Sequence, residues 1–112
     1  MQIRVPPKKI REKFLIIYEL QGAQKATNYL TEFYGVRRIG IVFDGKRVGK
    51  RKSNRWVACY LNNRAFFTKE GLSKRILLHE FYHHLVSVKR CELKQRIEEK
   101  EANAYAKFFL KS

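Results

Sequence analysis

With 112 residues, the chain has room for one domain and one modest hydrophobic core. Its 45% apolar content excludes a disordered chain, and the absence of any apolar run longer than six residues (56–61) excludes a membrane-crossing helix. The formal net charge of +15, from 25 basic against 10 acidic side chains, points to acidic or polyanionic partners.

No apolar region with a small-residue cleavage site follows the first charges, so a soluble, cytoplasmic protein is expected. Cys59 and Cys91 form no C-x-x-C pair and read as two reduced thiols.

Pro6-Pro7 closes a short arm, residues 1–7, and proline suits a first helical turn. Over residues 8–34 the apolar positions recur at helical spacing through Phe14, Tyr18, Ala26, Tyr29 or Leu30, and Phe33. Gly22 interrupts this helix or divides it into two, and Gly35 has the character of a C-cap.

The period then changes. Ile39, Ile41 and Phe43 alternate as in a strand, and Asp44-Gly45 is a hairpin signal. Lys46, Arg47, Lys50, Arg51, Lys52 and Arg55 crowd the stretch that follows. Residues 56–61 form a second strand, Asn62-Asn63 a turn, and residues 65–68 a last short strand. The sheet is expected to be small and mostly antiparallel, with three to four strands. Two helices complete an α+β domain spanning 1–112: one over 73–88, capped by Ser73, and one over 92–110 after a break near Lys89 to Cys91.

The chemistry concentrates in the first of these. His79-Glu80-Phe81-Tyr82-His83 is an H-E-x-x-H sequence, and all three histidines of the chain fall within six residues. On a helix, positions i and i+4 share a face, so His79 and His83 can converge on one metal ion. Glu80 then stands beside the ion as general base toward water. His84 lies about 100° around the helix from His83 and is not expected to ligate.

A catalytic zinc site needs a third protein ligand. If the two helices form an antiparallel hairpin turning near Arg90, Phe81 lies nine residues before the turn and Glu99 nine after it. Ala102 and Ala106 beside Glu99 permit close helix approach. Asn103, one turn on, can accept a hydrogen bond from the far nitrogen of a ligating histidine. Glu98 and Glu101 are expected to be solvated among neighbouring lysines and arginines. Tyr82 and Tyr105 are expected to be core or rim aromatics rather than oxyanion donors.

His79-Glu80-Phe81-Tyr82-His83 together with Glu99-Lys100-Glu101-Ala102-Asn103-Ala104-Tyr105-Ala106 resembles the paired signatures of gluzincin metallopeptidases. The match is similar to the ImmA/IrrE-like peptidases, whose second helix carries E-x-x-A-N-x-F-A, with Tyr105 here in place of phenylalanine. The short chain resembles the minigluzincins still more. The resemblance implies a minimal zincin-like fold with an active-site helix and a glutamate helix. It also implies one zinc per chain on His79, His83 and Glu99, and Glu80 as base and acid in peptide hydrolysis by a metal-bound water. Latency is known in the family. It further implies a strand lining the substrate cleft, here Trp56, Val57, Ala58, Cys59, Tyr60 and Leu61. The alternative is a basic module, binding nucleic acid or an acidic protein through the cluster at 46–55, with a structural or vestigial metal site.

Overall fold

The structure, a computed structural model, describes residues 3–44, 58–68, 72–91 and 93–111. Within them the chain is α+β: helices α1 (Lys8–Gln21) and α2 (Ala23–Tyr34), strands β1 (Gly40–Phe43), β2 (Ala58–Leu61) and β3 (Arg64–Phe67), then helices α3 (Lys74–Val88) and α4 (Gln95–Phe109). No helix among the described residues is long and apolar enough to cross a membrane.

Gly22 divides the first helical segment. Its φ of 91° interrupts the helical backbone, and its N–H still closes α1 on the Tyr18 carbonyl. Gly35 ends α2 in a Schellman motif. It takes φ 67° and ψ 36°, its N–H reaches the Glu32 carbonyl, and the Val36 N–H reaches the Thr31 carbonyl at 3.0 Å. An L-residue pays about 1–2 kcal/mol in the left-handed region. Gly35→Ala is therefore expected to lower stability by about that amount, read as a reduced urea midpoint at unchanged slope.

The sheet has the order β1-β3-β2. Asn62 and Asn63, at φ 50° and 63°, make the two-residue turn that pairs β2 antiparallel with β3, placing Leu61 opposite Arg64. β1 pairs parallel with β3, so the sheet is mixed where mostly antiparallel pairing is expected from the sequence. Because β3 lies between them, the described strand after Asp44-Gly45 is not β1's hairpin partner. Gly45 itself and residues 46–57, including the basic cluster, lie outside the described residues.

The outer edge of β1 is closed by a side chain. Gln24 on α2 accepts from the Ile41 N–H and donates to the Ile39 carbonyl, both at 2.9 Å. This amide imitates one rung of a further strand and blunts that edge.

The core lies between the sheet and the helices. Ala58, Ala65 and Phe67 from the strands pack with Leu77, Leu78, Phe81 and Leu85 of α3. Phe14 of α1 meets Phe109 of α4 edge to face at 5.0 Å between ring centres, joining the two ends of the chain. Phe33, assigned by spacing to the apolar stripe, is 43% exposed, whereas Ala26 and Leu30 of the same helix are fully buried. Arg11 reinforces the closure by donating to the Pro6 carbonyl and to the Lys111 carbonyl, each at 3.0 Å. A guanidinium at the carbonyl end of α4 also favours that helix electrostatically.

The pair α3–α4 carries the motif residues. Ser73 Oγ accepts from the Ile76 N–H at 3.2 Å and caps α3. The helix ends where Arg90 takes φ 52°, with the Cys91 N–H on the Val86 carbonyl, and the chain reverses into α4. The reversal falls at the residue from which the sequence measured Glu99. Ala102 and Ala106 are fully buried, so the two helices sit close together.

Candidate metal centre

One turn of α3 presents His79 and His83 toward α4, with Nε2 to Nε2 3.2 Å apart and the rings at 72° to one another. Glu99 of α4 meets both: Oε2 is 3.1 Å from His79 Nε2, and Oε1 is 2.8 Å from His83 Nε2. Four ligand-type atoms from three residues thus face a common point. Glu80 is nearby; one donor atom each from His79, Glu80 and His83 lies within 4.8 Å of the others.

The proton inventory says what belongs at that point. His79 Nδ1 lies 2.8 Å from Asn103 Oδ1, and His83 Nδ1 contacts Glu98 Oε2. Both partners are acceptors, so each Nδ1 donates, and in a neutral ring Nε2 then turns a lone pair inward. Those lone pairs face a carboxylate that only accepts. A cation between them relieves the repulsion.

Protonating both rings is opposed at His79, whose pKa burial lowers, with His83 adding to the fall and Glu99 opposing it. A tetrahedral ion with bonds of about 2.0–2.1 Å sets its ligand atoms about 3.3 Å apart, close to the observed 2.8–3.2 Å separations. Two imidazoles and one carboxylate are a donor set that fits zinc.

Glu80 is 6% exposed. Burial pushes its carboxyl up to about 7, with His83 opposing the rise and Glu99 adding to it. A dication at the centre works in the opposite direction by favouring the carboxylate. The Glu99 side chain is 49% exposed, so the centre opens to solvent on the α4 side.

Asn103 stands where the sequence placed it. Two neighbours of Glu99 do not. Glu98 and Glu101, expected among solvated lysines and arginines, both turn toward α3. Glu98 contacts the far side of the His83 ring, and Glu101 Oε1 accepts from the Tyr82 hydroxyl at 2.6 Å.

The cause is helix phase. Glu98 and Glu101, three apart, share one side of α4, and α3 packs along that side. Counting from the turn sets Glu98 level with Tyr82, each eight residues from Arg90, but does not fix which way Glu98 turns.

Tyr105 is fully buried and donates to Tyr34 Oη at 2.9 Å, and Tyr34 in turn donates to the Arg4 carbonyl at 2.8 Å. With Tyr82 held by Glu101, both tyrosines serve the core. His84 is fully buried behind the centre. Its Nε2 donates to the Arg37 carbonyl at 2.7 Å, so Nδ1 accepts from the Tyr60 hydroxyl at 2.9 Å. The Asn63 N–H donates to that hydroxyl at 3.1 Å. This chain of bonds seats the β2–β3 hairpin on α3, one residue from His83.

Ala58, Cys59, Tyr60 and Leu61 constitute β2, the terminal strand of the sheet order, while Trp56 and Val57 lie outside the described residues. Comparison of the chain with protein-family models, with curated proteins and with solved structures gives no match.

Proposed function

We propose that the chain is a zinc-dependent peptidase of minigluzincin type, with His79, His83 and Glu99 holding one zinc and Glu80 acting as general base. The observation that carries this reading is the convergence of two inward Nε2 lone pairs and the Glu99 carboxylate at 2.8–3.2 Å, with a buried carboxyl beside them.

Zinc supplies Lewis acidity there, polarising a scissile carbonyl and acidifying water. The chain's residues do the rest. The Glu80 carboxylate takes a proton from the attacking water as the new C–O bond forms. It returns that proton to the amine nitrogen as the C–N bond breaks. Its burial beside His79 and His83 puts the carboxyl where it meets such a water, away from bulk solvent.

An extended substrate is best held by β2. Gln24 occupies the outer edge of β1, whereas among the described residues β2 ends the sheet on the other side, with Tyr60 bonded to α3 next to the metal residues. Backbone pairing along β2 presents a peptide irrespective of its side chains.

Elemental analysis of the purified protein is expected to give one zinc per chain. A chelator is expected to stop hydrolysis of an unfolded protein substrate, and added zinc to restore it. Absence of zinc binding, or hydrolysis indifferent to the chelator, overturns the reading.

A second reading rests on the charge of +15. Lys46, Arg47, Lys50, Arg51, Lys52 and Arg55 form a polyanion-binding segment, serving either nucleic acid or an acidic protein. Binding to DNA or RNA that weakens steeply with salt, and that persists with the chelator present, is the result that favours it.

A further inference from the structure

His83 is gripped on its far side by a carboxylate outside the ligand set. Glu98 immediately precedes Glu99, and its side chain is 24% exposed against 49% for Glu99. The two carboxylates embrace one ring, Glu99 at Nε2 and Glu98 at Nδ1. His79 is treated differently: its Nδ1 faces the neutral amide of Asn103. The groups that meet the His83 nitrogens are therefore His79, Glu98 and Glu99.

From this arrangement we infer that Glu98 is a positioning residue of the centre, holding His83 with its proton on Nδ1 and its Nε2 lone pair on the point shared with His79 and Glu99. The inference rests on the metal-site reading above.

The physical case is one of alternatives removed. A neutral imidazole divides between two tautomers, and only the Nδ1–H form offers Nε2 to a metal. The ring can also turn about its Cβ–Cγ bond, which carries Nε2 away from the shared point. A carboxylate at Nδ1 disfavours both changes, because it accepts a proton bond and offers none. Glu98 cannot join the same ion as a ligand in this pose, since the two ring nitrogens point apart. Asn103 does the corresponding work at His79, so each ligand ring has its own anchor on α4.

Zinc titration of the full chain against a competing chelator tests this, with E98A, E98Q and E101A beside the parent. E98A is expected to bind zinc about 10–100-fold more weakly. E98Q is expected within about threefold of the parent, because its amide oxygen still accepts the Nδ1–H bond. E101A removes the acceptor for Tyr82 on the same helix side and is expected to leave zinc affinity unchanged. The cobalt-substituted parent and E98Q should share one visible spectrum, with that of E98A altered.

An E98A affinity within twofold of the parent, or an E101A loss as large as that of E98A, overturns the inference while leaving the metal site standing. A parent that binds no zinc overturns both. Proton NMR of the zinc-loaded parent gives a readout independent of whether E98A folds. A slowly exchanging Nδ1 proton on His83 is expected, and its absence also counts against Glu98.

Discussion

Glu80→Gln is expected to keep its zinc and to lose peptide hydrolysis by about 10²–10⁴-fold, the usual contribution of a positioned acid–base group. The substitution preserves shape. At 6% exposure Glu80 sits in a site that already disfavours its charge, so a neutral amide of the same size fits without a new desolvation cost. The unfolding midpoint of the zinc-free protein should therefore not fall. Loss of turnover with retained metal and fold isolates the proton-transfer role. A variant that hydrolyses peptides at the parental rate would remove Glu80 from the mechanism, whatever the metal content.

Glu99→Ala attacks the metal instead of the proton. Zinc held by four protein ligands is worth about 10–16 kcal/mol in small domains, or about 2.5–4 kcal/mol per ligand. Loss of one ligand corresponds to roughly a 10²–10³-fold weaker site. The effect on the stability of the zinc-free protein should be small, because the Glu99 side chain is half exposed and packs no core; with zinc present the parent gains more stability than the variant. Zinc titration with thermal unfolding checks both halves. The ranking against Glu98 is itself informative: removing a direct ligand should cost more affinity than removing the anchor of a ligand. An E99A protein with parental affinity would show that the two histidines find their third partner elsewhere, Glu80 being the carboxyl with a donor atom within 4.8 Å of one on each.

Helix phase explains much of what the sequence allowed. An i, i+4 histidine pair on a continuous helix has one geometry, so His79 and His83 share a face whatever the helix packs against. The α3–α4 hairpin followed from a break at Arg90 and from alanines at 102 and 106. Once the turn is placed, helical rise sets which residues are level, and that selected Glu99 and Asn103. The Asn62-Asn63 turn was legible for a local reason too: two successive positive φ values suit asparagine better than most residues.

Tertiary structure decided the rest, because those features depend on contacts between segments distant in sequence. Whether β1 lies parallel or antiparallel to its neighbour is not encoded in alternation, which has the same period either way; the pairing with β3 comes from where α2 delivers the chain and from Gln24 bonding to β1's outer edge. The directions of Glu98 and Glu101 depend on the rotation of α4 about its own axis, a few tens of degrees that a polar, charged stretch does not fix. Sequence periodicity determined which groups could meet. The packing of α4 on α3 determined that His83 meets a carboxylate on each of its nitrogens.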